Sequence, residues 1–349
     1  MNSTKYYFPK PTKKNFRRFC KILSSASYVP EKVVTNQEII DEFHLPYKSE
    51  TIFKAIGVES RHVEMDDLCD SDVLSMSAKK CLENCNLLPD HLSRLIVNKY
   101  FGDNLLPMTA SRLLSKLGSG TAAHSFDIDG GINSFLHSVD VISRFINTGD
   151  NFVLLSSGGI NRRLVSKTDP RVAFLFGDGS ASLLFEPSEE QHILASYFYT
   201  NHNYYDLATA LSPMAITNAE KDIDIMERLL TNYDTYEMGN WKIAEDFYRQ
   251  AAREVSKNLL EESGLNMDNI DMVLITENNI KIWELTLEAL GLSEDKSISL
   301  LKNYGNTMSA MLPLLLDYGF KTGRIQHGMN IMLISHGEGL SGGGLIYKV

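Results

Sequence analysis

The sequence predicts an α/β fold built from two duplicated halves, and three observations carry that prediction. Strand-like apolar runs alternate with helix-period segments along most of the chain. The segment Phe145-Ile146-Asn147-Thr148-Gly149 ahead of an apolar run at 152–158 is echoed by Phe320-Lys321-Thr322-Gly323 ahead of one at 330–337. A glycine turn opens a helix in each half, Gly130-Gly131-Ile132-Asn133 in the first and Tyr304-Gly305-Asn306-Thr307 in the second. Residues 92–97 match 270–275, and the apolar strands at 181–185 and 344–347 close the two halves. The division expected is a basic N-terminal extension at 1–20, a first half at 21–187 and a second at 188–349.

Residues 1–20 carry Lys5, Lys10, Lys13, Lys14, Arg17 and Arg18 with no acidic residue, and Pro9 and Pro11 block a helix. A mobile basic arm is expected there, with docking to an acidic partner as the functional alternative. Residues 21–34 read as a strand and turn. Asn36 is placed to cap a short helix through Phe43, and Ser71 to cap one running to about Asn86. Leu95-Ile96-Val97 marks a buried strand, and residues 108–117 a helix ended by Gly118. A strand at 122–126 leads into the central helix at 132–147, which Gly149 stops. Strands follow at 151–157 and 172–178. The latter is joined to 181–185 by a tight turn at Gly177-Asp178-Gly179.

At the central turn, two glycines permit a sharp bend, and the first free N–H groups of the helix favour negative charge. A nucleophile standing there would be activated. The turn presents Ile132 instead, which has no chemistry. Both glycine turns lie at strand C-terminal ends, where open α/β sheets bind ligands, so a shared cleft is expected.

Composition narrows the function. A net charge of −10 argues against nucleic acid as the main partner. No run of about 18 apolar residues appears, so no membrane span is expected. No secretory apolar region opens the sequence, and a cytoplasmic protein with reduced thiols is expected. Cys81 and Cys85 stand at i, i+4, but no His or further Cys cluster completes a tetrahedral set, so no metal site is expected.

The ordered motifs resemble the β-ketoacyl-acyl-carrier-protein synthase III family of the thiolase fold, across about residues 21–349. They are Ala26 to Pro30 with Val33-Val34-Thr35-Asn36, Gly57-Val58-Glu59-Ser60-Arg61-His62, Pro107, Phe126-Asp127, Phe176-Gly177-Asp178-Gly179, Met238-Gly239-Asn240, Tyr304-Gly305-Asn306-Thr307 and Gly337-Glu338-Gly339-Leu340-Ser341. The resemblance implies a thiolase-like five-layer αβαβα body, and acyl transfer with decarboxylative condensation. It also implies a catalytic Cys–His–Asn set. The cysteine position falls on Ile132 and the histidine position on Thr276, while the asparagine is retained as Asn306. Lys281 matches a basic residue that looks toward the phosphates of coenzyme A. The family's tryptophan near the nucleotide falls near Thr51 and is absent. Leu106 matches a residue reaching toward the neighbouring subunit's pocket.

Isoleucine forms no thioester, and threonine is a poor acid at neutral pH. Ser134, about 200° round the helix from Ile132, is expected to face away. Asp129 is expected to cap the central helix. Glu277, if desolvated, and His336, placed on a turn, are the candidate substitute bases. The leading expectation is a catalytically degenerate subunit, homodimeric or partnering an active ketosynthase, in fatty-acid-like or specialised-metabolite synthesis. The alternatives are an acyltransferase working without a Cys nucleophile on a CoA or acyl-carrier-protein thioester, and an acyl-binding protein. No bound cofactor is expected beyond such a thioester as substrate.

Overall fold

Alternating apolar side chains build two sheets, each with one face inward and one outward. The first contains β1 (Cys20–Tyr28), β4 (Arg94–Asn98), β5 (His124–Ile128), β6 (Val153–Gly159) and β7 (Gly179–Pro187), in the order β1-β7-β6-β4-β5. β6, β4 and β5 run parallel; β7 and β1 add antiparallel. The second sheet contains β8 (Ile193–Thr200), β11 (Met272–Ile275), β12 (Asn330–Gly337) and β13 (Ser341–Lys348), in the order β11-β12-β13-β8. Here β11 and β12 are parallel while β13 and β8 add antiparallel, so β4, β6, β7 and β1 correspond to β11, β12, β13 and β8. The counterpart of β5 shrinks to one parallel bridge, Val273 with Ser297. Two small ribbons complete the pairings, β2 (Val33–Thr35) with β3 (Ser60–His62), and β9 (Ala208–Ala210) with β10 (Tyr236–Met238). The computed structural model describes residues 6, 8–11, 18–65, 67–100, 102–104, 106–118, 120, 123–129, 131–163, 166, 169–170, 172–210, 236–238 and 241–349.

Three apolar clusters turn the sheets into five layers. The central one joins Ile96, Leu155 and Phe185 of the first sheet to Met272, Leu333 and Leu345 of the second. Between them lie α5 (Ser134–Asn147), through Phe135, Val139 and Ile142, and α9 (Met311–Thr322), through Leu312, Leu315 and Leu316. On the outer face of the first sheet, Leu95, Val97 and Leu154 pack against α3 (Asp70–Asn84) and α4 (Thr109–Leu117). On the outer face of the second, Val273, Met332 and Ile334 pack against α6 (Trp241–Ser263) and α7 (Ile280–Leu290). The expected αβαβα body is therefore present, with 152–156 and 331–335 as equivalent strands. α1 (Asn36–Phe43), α2 (Ser49–Ile56) and α8 (Leu301–Tyr304) lie in the loops.

Several boundaries differ from expectation. Thr35, not Asn36, caps α1: Glu38 N donates to Thr35 Oγ1 at 3.2 Å, and Thr35 N returns to Glu38 Oε2 at 2.7 Å. Asn36 is buried and donates to Val58 O instead. The cap of α3 lies two residues before Ser71, at Cys69, with Asp72 Oδ2 accepting Cys69 N at 3.0 Å. β5 sits two residues later than read, and Ala122 is outside the described residues. No strand forms at 172–178. Phe176 alone bridges to Asn306, and β7 pairs with β6 and β1. A glycine is needed at 177 because a Cβ there would collide with Tyr304 O, so the Gly-Asp-Gly stretch locks the halves together and is not a hairpin turn.

The N-terminal extension is also not the mobile arm expected, where it is described. Tyr6 is buried, its ring 5.2 Å edge-on from Phe247 of α6. Phe8 stands edge-on to Tyr199 at 5.2 Å. Arg18 is only 2% exposed, and its Nη2 donates to Ser196 Oγ at 3.0 Å and to Glu262 Oε1 at 3.1 Å. For Arg18 the acidic partner is thus this chain's own Glu262. Lys10 is exposed, while Lys5, Lys13, Lys14 and Arg17 lie outside the described residues. Among the described residues no helix is long and apolar enough to cross a membrane.

Candidate active site

The two duplicated helices begin against each other. The turn Gly131–Asn133 that opens α5 packs on β12 and on the turn Met308–Ala310 that opens α9. Gly130 is outside the described residues. Gly131 has φ +57°, the left-handed region a glycine enters freely. Ile132 is buried at 5% exposure, at the first turn. Ser134 is buried too, and its Oγ donates to Gly131 O at 2.7 Å, so its hydroxyl is committed to the backbone as its helical angle suggested. Asp129 is exposed, and α5 has no side-chain cap. The carboxylate that does cap a helix here is Asp127: Thr109 N and Ala110 N of α4 donate to it at 3.0 and 2.8 Å.

Asn306 is buried where the halves meet. Its Oδ1 accepts Met308 N at 2.7 Å, its N–H donates to Leu175 O at 2.8 Å, and its carbonyl accepts Gly177 N at 3.0 Å. Every one of these bonds fixes a loop; the side-chain oxygen serves the start of α9. Thr276 is buried at the end of β11, its Oγ1 accepting His336 N at 3.0 Å.

Both candidate bases are buried and committed to other partners. Glu277 is buried, and Leu300 N donates to its Oε2 at 3.0 Å. Burial pushes its pKa up to about 7 against hydrogen bonds from Ser299, Leu300 and Leu301. His336 is inside β12, not on a turn, and continues the outward face of Met332 and Ile334. Its ring lies 5.1 Å from that of Tyr248 on α6, and Nε2 is 3.1 Å from Thr286 Oγ1 on α7. Thr286 spends its own proton on Ile282 O at 2.7 Å, so Nε2 is the donor in that contact. Burial pushes its pKa down to about 3. His336 therefore belongs to the outer layer and does not enter the cleft.

One further residue stands at the start of α5. Glu338, on the turn between β12 and β13, accepts Tyr100 Oη on Oε1 at 3.1 Å, and the backbone N–H of Ile132 favours its charged form. Desolvation raises its pKa. The sequence reading quoted it within Gly337-Glu338-Gly339-Leu340-Ser341 but gave it no role. The other expected contacts stay peripheral. Lys281 is exposed on the first turn of α7, Thr51 is exposed on α2, and Leu106 is 83% exposed ahead of Pro107. Gly239 and Asn240 of one quoted motif fall outside the described residues.

The four cysteines are free, and none lies on α5. Burial pushes the thiols of Cys20 and Cys81 up to about 12. Among the described residues no cluster of His, Cys, Asp and Glu could hold a metal ion. Two surface clefts of about 520 and 790 Å³ lie elsewhere, one between α6 and α7 beside Arg253 and Leu290, the other beside Lys21, His192 and Tyr347.

Comparison with known proteins agrees with this geometry. Residues 126–202 match the family model for 3-oxoacyl-[acyl-carrier-protein (ACP)] synthase III, and residues 260–349 match the model for its C-terminal part. A β-ketoacyl-[acyl-carrier-protein] synthase III of Clostridium acetobutylicum is 27% identical over 94% of this chain and 98% of its own. One of Listeria innocua is 29% identical over the same shares, 94% and 98%. The crystal structure of 3-oxoacyl-[acyl-carrier-protein] synthase III from Aquifex aeolicus superposes with a TM-score of 0.83 at 23% identity, covering 95% of this chain and 100% of that one. Two glycine-opened helices meeting between paired sheets are the thiolase-type arrangement, and with matches in both halves the chain belongs to the β-ketoacyl-[acyl-carrier-protein] synthase III family.

Proposed function

We propose that this chain is a catalytically degenerate member of its family. It acts in the cytoplasm as a non-catalytic subunit beside an active, cysteine-bearing ketosynthase in fatty-acid-like or specialised-metabolite synthesis. The observation that carries the reading is Ile132 at the start of α5, with the neighbouring Ser134 hydroxyl bound to Gly131 O. Covalent acyl transfer needs a nucleophile at this place, and a methyl-bearing side chain supplies none. The position of the family histidine, at Thr276, spends its oxygen on a backbone N–H. The fold around these losses is fully built, as an interface-bearing subunit requires. A CoA or acyl-carrier-protein thioester is the ligand class this reading implies, with exposed Lys281 as its candidate phosphate contact.

Two measurements test this. Incubated with acetyl-CoA, the purified chain should show no stable acyl adduct by intact mass; an adduct on Ser134 or on any cysteine would overturn the assignment. Co-expressed with cysteine-bearing paralogues, it should appear as a heterodimer in native mass spectrometry. Direct acyl transfer without a covalent intermediate is the second reading, and it rests on Glu277, an acid held near neutrality. Thiol release from acyl-CoA by the purified protein with an acceptor would favour it.

A further inference from the structure

The start of α5 is already occupied. A helix of this length presents free N–H groups at its first turn, and a carboxylate is a natural ligand for them. Glu338 supplies that carboxylate from the second half of the chain. The Ile132 N–H favours the charged form of that carboxylate. Tyr100, at the end of β4, donates its phenol to Oε1 at 3.1 Å. Gly131 makes the approach possible, since a Cβ on it would stand 2.8 Å from Oε2. The turn that carries Glu338 is tied to the same helix start. Asn133 Nδ2 donates to Ser341 Oγ at 2.8 Å, and Ser341 Oγ donates to Glu338 O at 2.6 Å. A Cβ on Gly337 would collide with the Asn133 amide, so the turn lies flat on the helix start.

In a working acyl-transfer site, an N–H in this position stabilises the negative charge that develops on a thioester carbonyl oxygen. Here a carboxylate already stands at that helix start. We propose that Glu338 is a built-in anion that occupies the acyl-thioester position at the start of α5, closing the cleft from within. The closure is steric, because an entering carbonyl must displace a carboxylate held by a phenol. It is also electrostatic, because a carboxylate beside position 132 disfavours a thiolate there. Restoring a cysteine alone would then leave the site shut. This deepens the reading of a non-catalytic subunit and rests on it for the substrate class.

The test uses the full-length chain in three forms: Ile132→Cys, Ile132→Cys with Glu338→Gln, and Ile132→Cys with Glu338→Gly. The first readout is the rate at which iodoacetamide alkylates the introduced thiol at neutral pH, located by peptide mapping. The second is acylation by acetyl-CoA, read by intact mass. The single variant should alkylate slowly and take no acyl group. Both double variants should alkylate at least ~10-fold faster, because the thiolate is no longer opposed. The glycine form should also acquire the acyl group. Equal alkylation in all three forms, or acylation of the single variant as complete as that of the glycine form, would overturn the proposal. Faster alkylation without acylation would uphold the closure and count against the thioester substrate class. The Gln variant keeps the side-chain volume, so it reads the charge even where the glycine form is destabilised.

Discussion

Ile132, Thr276 and Asn306 were picked out through the motifs of the family the sequence resembles, and all three are buried. Glu338 was given no role, because its role depends on where a turn from the other half is aimed. His336 was misplaced for a different reason. Its neighbours Met332 and Ile334 already showed the period-2 alternation that carries it to the outer face. The buried acid Glu277 gives a test at this scale. Its pKa is about 7 in the fold against an ordinary 4.5. Between those values the folded chain keeps a proton that the unfolded chain releases, so Glu277 lowers stability as pH rises through that window. Glu277→Gln should therefore gain on the parent from pH 4.5 to 7 and level off above. The gain should be on the order of 3 kcal/mol at most, measured by urea denaturation at each pH. His336 pulls the other way: its depressed pKa makes the fold lose stability as pH falls from 6.5 toward about 3. The two slopes overlap, so each variant is compared with its own parent at every pH.

At the scale of elements, long periodic helices and apolar strands were placed well, and caps were not. A cap depends on which polar side chain the backbone turns toward the first N–H groups, and neighbouring residues compete for it. Asn36 loses to Thr35, and Ser71 to Cys69. Asp127 shows why local reading fails, since it lies in a strand and caps a helix that precedes it by ten or more residues in the chain. Asp127→Ala leaves Thr109 N and Ala110 N without that acceptor and should cost about 1–2 kcal/mol. It also releases Lys99, whose Nζ lies 3.6 Å from the same carboxylate. Asp127→Asn should recover part of the loss, because one oxygen remains. Chemical denaturation of the three proteins checks the order. The missing strand at 172–178 has a comparable cause: its apolar side chains fill the junction between the halves, where Phe176 packs with Val172 and Met308.

For the molecule as a whole, the duplication was the most legible feature, because equivalent strands carry equivalent apolar runs. The mode of association was not legible in the same way. β5 ends its sheet with one side unpaired among the described residues, and the loop bearing Leu106 leaves that side chain 83% exposed. An unpaired edge strand and an exposed apolar side chain suit a partner subunit. A stable dimer through this edge should bury more than about 2,000 Å². Leu106→Arg should weaken it by placing an unpaired charge in the contact. Light scattering at micromolar concentration, on the chain alone and on a co-expressed pair, is the measurement. A monomer in both would leave the transferase or binding readings. The N-terminal extension has its own test. Arg18→Met leaves Glu262, and Asp140 at 3.8 Å, without their buried cation. It should cost about 2 kcal/mol, less than a fully buried pair because Glu262 is partly exposed.

The same extension sets an order in time. Tyr6 donates to Ile243 O across 237 residues, and Arg18 reaches Glu262 across 244. A ribosome delivers the extension first and its landing site on α6 more than two hundred residues later. At about 5–20 residues per second, the start of the chain waits ten seconds or more with no surface to bind. Its aromatic and basic residues are then open to chaperones and to other nascent chains. Docking onto the finished second half is a late, long-range event of the kind that slows folding.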